Sequence, residues 1–189
     1  KKELRLKDEM IVTFIGRLEP LKDPLTFVNS IPYAIRKIKN IRFIMVGDGH
    51  LMGDVENQIE KLNIKDYVIM PEPTANVDKF LAVSDIFIAC SATENCFSTT
   101  ILEAMLSKVP CIITKAGMTE KFFVHKKDAY LVEKKNPKQL GESVVKLLND
   151  RKSRGKLSGN GLKFLDRYEF RNRPIRQKIM KIFNEAIKT

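Results

Sequence analysis

The chain has 189 residues, enough for one domain with its own core and short for two. A 43% hydrophobic share beside 30% charged residues argues against both disorder and a membrane-embedded class, and no apolar run approaches the roughly 20 residues of a bilayer span. Lysine and arginine outnumber aspartate and glutamate by 34 to 23, a formal charge of +11 that favours phosphates, nucleic acid or an anionic membrane surface as partners.

The lysine-rich start, residues 1–7, has no apolar stretch behind it of the signal-peptide kind, so a cytoplasmic protein is expected. Apolar, β-branched runs follow at residues 10–16, 41–47, 67–70, 85–90, 110–114 and 129–132, separated by helix-length segments. Right-handed crossovers of that length return the chain to the same edge, which predicts an α/β fold with a single doubly wound, Rossmann-like parallel sheet of about six strands covered on both faces. The first helix should open with Asp23 as N-cap and Pro24 at the first helical position, presenting Leu25, Val28, Ile31, Ile35 and Ile38 at helical spacing, with a kink at Pro32. A later helix should start at Ser98, with Phe97 and Leu102 as a hydrophobic staple across the cap. Residues 137–148, 151–168 and 174–187 read as C-terminal helices, the first of them packed on the sheet. The organisation expected is one domain over residues 1–168 and a helical tail over residues 169–189. Cys90, Cys96 and Cys111 are odd in number and lack metal-ligand spacing, so reduced thiols are expected, with Cys90 and Cys111 as small core residues.

In an open parallel sheet, ligands bind outside the carboxyl ends of the strands, so the turns there are the places to look. The first turn runs Gly16, Arg17, Leu18, Glu19, Pro20, Leu21, Lys22: a glycine for close backbone approach, then two cations leading into a helix start, a set suited to a diphosphate. The second holds Gly47, Asp48, Gly49 and His50, matching neither a full dinucleotide fingerprint nor a Walker loop; His50 reads as solvated rather than catalytic. The fourth is the richest, ending in a helix whose first amides and the Ser98, Thr99 and Thr100 hydroxyls make a ready anion site. Glu103 follows one turn later, where a carboxylate can accept hydrogen bonds from vicinal sugar hydroxyls.

Taken in order, Gly16-Arg17-Leu18 with Lys22, Val46-Gly47-Asp48-Gly49, Ala82 to Ser84-Asp85, the segment from Glu94 to Glu103, and Gly117 with Glu120 resemble the C-terminal domain of GT-B-fold retaining glycosyltransferases of the mannosyltransferase, sucrose-synthase and glycogen-synthase-like type. The resemblance covers residues 1–168. It implies that Arg17 and Lys22 grip the diphosphate of a nucleotide-sugar donor and stabilise the leaving group. Gly16, Gly47 and Gly49 would wall the crevice, Phe97, Ser98, Thr99 and Thr100 would meet phosphate and sugar, and Glu103 would bind the ribose. The first glutamate of the family's pair contacts the donor sugar. Here eight residues separate Glu94 from Glu103 where the family has seven, so either Glu94 serves through a bulge or Asn95 takes its place. Ala116-Gly117 also departs from the family's glycine pair.

What the resemblance implies mechanistically is departure of the nucleotide diphosphate with oxocarbenium-like charge on the sugar, and attack from the same face by an acceptor hydroxyl. No cofactor and no metal is expected, because Arg17 and Lys22 supply the positive charge. The resemblance further implies that this is the donor-binding half of the fold. An N-terminal acceptor domain would be its partner, the tail its crossover helix, and the isolated domain would be inactive. A contact of the basic helices over residues 151–188 with the cytoplasmic membrane face is compatible with that reading. The alternatives are an epimerase-like enzyme acting on nucleotide sugars with the same crevice, or a non-catalytic basic nucleotide- or nucleic-acid-binding module. No basic stripe interleaved with aromatics supports nucleic acid as the partner.

Overall fold

The structure, a computed structural model, describes residues 2–4, 6–74, 76–92, 98–117 and 119–167. Six strands form one sheet: β1 (Met10–Ile15), β2 (Ile41–Val46), β3 (Val68–Ile69), β4 (Ile86–Ala89), β5 (Cys111–Lys115) and β6 (Tyr130–Glu133). All neighbouring pairs are parallel, in the order β3-β2-β1-β4-β5-β6. The helices are α1 (Pro24–Ile35), α2 (Met52–Lys61), α3 (Asp78–Leu81), α4 (Thr99–Leu106), α5 (Thr119–Phe122), α6 (Pro137–Asn149) and α7 (Arg151–Arg167). The expected single Rossmann-like parallel sheet with C-terminal helices is therefore what the chain forms. The residues from 168 onward, including the third C-terminal segment and the proposed tail, lie outside the described ones, as do Glu94, Asn95, Cys96 and Phe97.

Side chains alternate across a strand, so each strand feeds two cores. Val12 and Phe14 of β1 pack with Phe27 and Ile31 of α1, Val55 of α2 and Leu140 and Val144 of α6 on one face. Ile11 and Ile15 pack with Phe80 of α3, Ile101 and Met105 of α4 and Phe164 of α7 on the other. Full burial of such a side chain contributes about 1.5–3 kcal/mol, which is why both faces must be covered. Thr13, buried among apolar neighbours, is satisfied by Ser84 at 2.5 Å between their hydroxyl oxygens. Cys90 and Cys111 are buried core residues, and burial pushes both thiols well above their usual range.

Local signals place the helix starts as read. The Asp23 carboxylate accepts from the Thr26 amide at the start of α1, and Ser98 Oγ accepts from the Ile101 amide at the start of α4. Three details differ from expectation. Tyr67 belongs to a 3-10 turn, Lys65–Tyr67, which leaves β3 only two residues long at the sheet edge. Ile38 lies past the end of α1, although it still packs against the core. Two crossovers, those carrying α3 and α5, are single helical turns of four residues. Pro32 sits inside α1, where its ring nitrogen has no hydrogen to donate to the preceding turn.

Candidate functional site

The strand order changes direction between β1 and β4: one half of the sheet grows outward from β1 through β2, the other from β4 through β5. That switch point opens a crevice at the strands' carboxyl ends, between the first and fourth turns.

The first two turns are interlocked through their backbones. Gly16 donates to the Val46 carbonyl at 3.0 Å, Leu18 to the Asp48 carbonyl at 2.8 Å, and Leu51 to the Leu18 carbonyl at 2.9 Å. Such approach requires the absence of side chains at Gly47 and Gly49. A Cβ on Gly47 would stand 1.9 Å from the Gly16 carbonyl oxygen, and one on Gly49 2.5 Å from that of Leu18, and both residues have positive φ, 154° and 155°. The first turn is tied equally to the fourth, because the Ala92 amide and the Ser91 hydroxyl donate to the Leu21 carbonyl at 3.0 and 3.1 Å. Ser91 is in turn fixed by Thr114 of β5, whose Oγ1 accepts from the Ser91 amide at 2.7 Å.

This scaffold brings several of the expected residues together. Lys22, Ser98 and Thr100 line one small cavity of about 20 Å³ with Ser91 and Thr114. Gly16, Arg17, Gly47 and Gly49 line an open cleft of about 400 Å³ beside it, and Ile15 borders both. Arg17 is exposed, Lys22 half-buried, and neither has an ion-pair partner among the described residues. Loss of solvation, with the nearby Arg17 charge, lowers the Lys22 pKa from its ordinary value. Two mutually repelling, unpaired cations beside a helix start are a set that could hold an anion.

On the far wall, Ser98 Oγ and Thr100 Oγ1 lie 2.9 Å apart at the start of α4, while Thr99 is exposed. Glu103, one turn on, is half-buried, and among the described residues no donor hydrogen-bonds its carboxylate. Desolvation, and after it the Asp78 carboxylate at the start of α3, raises its pKa. Asp78 itself is raised by desolvation. Asp78 was not legible as a neighbour of Glu103, since no local pattern links two residues on different crossovers. His50 is exposed as expected, but it is paired: its Nδ1 lies 3.0 and 3.1 Å from the two carboxylate oxygens of Glu19. Among the described residues no three His, Cys, Asp or Glu side chains converge in a metal-like group, and no helix is long and apolar enough to cross a membrane.

Residues 1–164 match the model of a family described as glycosyl transferases group 1. The chain is 29% identical over 148 residues to an Escherichia coli UDP-Gal:alpha-D-GlcNAc-diphosphoundecaprenol alpha-1,3-galactosyltransferase, covering 77% of this chain and 38% of the relative. It is 28% identical over 151 residues to the N-acetyl-alpha-D-glucosaminyl L-malate synthase of Bacillus anthracis, covering 79% and 39%. The chain thus spans about two fifths of the length of these curated relatives. Among solved structures, the C-terminal domain of the group 1 family protein LpcC from Francisella tularensis superposes with a TM-score of 0.78 at 22% identity, covering 87% of this chain and 88% of that one. Anabaena HepE in complex with UDP-glucose superposes with a TM-score of 0.81 at 20% identity, covering 97% and 51%.

Proposed function

The chain belongs to the group 1 glycosyl transferases, and from that premise we propose that it is the donor-binding half of a retaining enzyme that moves a sugar from a nucleoside diphosphate to an acceptor hydroxyl. One observation carries the reading: the unpaired cations Arg17 and Lys22 stand on backbone-locked turns at the switch point, Lys22 facing the Ser98 and Thr100 hydroxyls across one cavity. Family membership favours glycosyl transfer over the epimerase-like alternative, and no described feature favours a nucleic-acid-binding module. UDP is the proposed nucleotide, on the strength of the galactosyltransferase relative and the HepE complex.

In this mechanism the two cations meet the charge that grows on the diphosphate as the glycosidic bond breaks. They supply without a metal the stabilisation that makes it a leaving group. Because the turns are held before the ligand arrives, little reorganisation accompanies reaction, and loss of one such contact commonly costs about 2.7–4 kcal/mol of barrier. Glu103 takes the ribose hydroxyls, and Glu94 or Asn95 the donor sugar. The acceptor hydroxyl attacks from the departing side, brought there by an N-terminal acceptor domain, without which transfer is negligible. The surplus positive charge has a place in the same reading. Lys126, Lys146 and Lys156, against the single carboxylate of Asp150, line an open cleft of about 280 Å³ near the start of β6, which we assign to contact with anionic lipid at the cytoplasmic membrane face. Co-sedimentation with phosphatidylglycerol vesicles should be clear at low salt and vanish at high salt; no association at low salt would remove that contact.

The test of the donor assignment is calorimetry with UDP and with uridine. Arg17→Ala and Lys22→Met should each weaken UDP binding roughly tenfold to a hundredfold, the range for a hydrogen bond to a charged group, and leave uridine untouched. Equal affinities of the parent chain for UDP and uridine would overturn it.

A further inference from the structure

We propose that His50 is a positioning residue: it clasps Glu19 and so keeps that carboxylate from neutralising Arg17. The inference rests on the reading of Arg17 as a diphosphate ligand. Glu19 stands two positions after Arg17 on extended backbone, with φ −123° and ψ 155°, and its side chain is only 21% exposed. It lines the same open cleft as Arg17. The Arg17 charge does reach it: the Glu19 carboxyl is held below its usual range first by the His50 hydrogen bond, with lesser contributions from the His50 and Arg17 charges. Yet the contact formed is with His50, whose Nδ1 lies 3.0 and 3.1 Å from the two carboxylate oxygens, and not with Arg17.

The backbone explains the choice. The bonds from Leu18 to Asp48 and from Leu51 to Leu18 both end on Leu18, the residue before Glu19, and span His50 on the facing turn, so the two turns are held in register where Glu19 and His50 meet. Asp48, the other carboxylate in the cleft, accepts from the Gly49 amide at 2.7 Å through one oxygen and makes no ion pair with Arg17. Arg17 is thereby left without a carboxylate partner among the described residues, although one lies two positions away. An anionic ligand then meets a guanidinium with no direct ion pair to break. Without the imidazole, Glu19 becomes an intramolecular competitor for the guanidinium.

Calorimetry on the full chain with UDP and uridine tests this. His50→Ala should weaken UDP binding about two- to fivefold, the scale of an exposed ion pair, while uridine affinity stays unchanged. Glu19→Gln should bind UDP as well as the parent or better, and His50→Ala combined with Glu19→Gln should match Glu19→Gln alone. A clasp that merely braces the turns predicts the opposite: both single variants lose affinity, the double is no better than either, and uridine weakens too. That pattern, or a silent His50→Ala, overturns the inference. Arg17→Ala separates the two failures. If it weakens UDP while His50→Ala does not, only the clasp fails; if Arg17→Ala is silent, the diphosphate assignment fails and the clasp falls with it.

Discussion

The two walls of the crevice are built in different ways. The cationic wall, from Gly16 to Lys22 against Gly47 to His50, is a backbone object whose shape comes from amide-to-carbonyl bonds between turns and from missing side chains at Gly47 and Gly49. The opposite wall, the start of α4, is a side-chain object: a capped helix presenting Ser98 and Thr100 to the cavity, with Glu103 half-buried one turn on and outside its lining. The lesson is that structure and ligand contact are inseparable on the first wall and separable on the second. On the proposed reading, phosphate demands fixed geometry around a dense charge, whereas a carboxylate that accepts from ribose hydroxyls needs only the correct helix position.

The largest effect expected from this difference is at Gly47. Gly47→Ala places a methyl group inside contact distance of the Gly16 carbonyl at a backbone conformation reserved for glycine, so strain and overpacking together should cost about 2–6 kcal/mol of stability. Urea denaturation of the parent and the variant measures it. A midpoint shift no larger than that of an ordinary surface substitution would show that the interlock is not what shapes this wall.

On the other wall, Glu103→Gln should leave the fold intact and weaken uridine binding by about 1.5–3 kcal/mol, or roughly tenfold to a hundredfold. Stability should move the opposite way. Desolvation and Asp78 raise the Glu103 pKa in the folded chain, so the ionised carboxylate opposes folding at neutral pH, and that cost is relieved as pH falls through the folded value. Glutamine removes the charge, so the variant should melt slightly higher than the parent while binding less. A variant that loses both stability and affinity would make Glu103 a structural residue and erase the contrast between the walls.

The smallest effect is the pH dependence that follows. Uridine carries no phosphate, so its affinity should decline as pH falls through the raised Glu103 value, and the decline should be absent in Glu103→Gln. A parent and variant with parallel pH profiles would assign the titration to another group.

Much of this was legible before any coordinates. The six strands, the caps at Asp23 and Ser98, and the glycine and cationic turns come from signals spanning a few residues: alternation with period two, a short polar side chain ahead of a helix, a glycine where a chain reverses. Those are properties of the local backbone, and neighbours along the chain suffice to impose them. The family motifs are of the same kind, which is why Arg17, Lys22, Ser98 and Thr100 could be named together as candidates before the fold brought their turns to one edge of the sheet.

What the sequence left undecided is what depends on contacts between distant segments. It did not contain the order of the strands, and so did not place the switch point between β1 and β4; packing of α1, α2 and α6 on one face and α3, α4 and α7 on the other decided that. Nor did it show that Lys22 loses solvent, that the Asp78 charge reaches Glu103, or that His50, which reads as merely solvated, holds Glu19. Each is a charge whose meaning is set by its surroundings. Those surroundings exist only once separate crossovers have been brought to one edge of the sheet, because solvation and Coulomb energy depend on distance in space and not on separation along the chain.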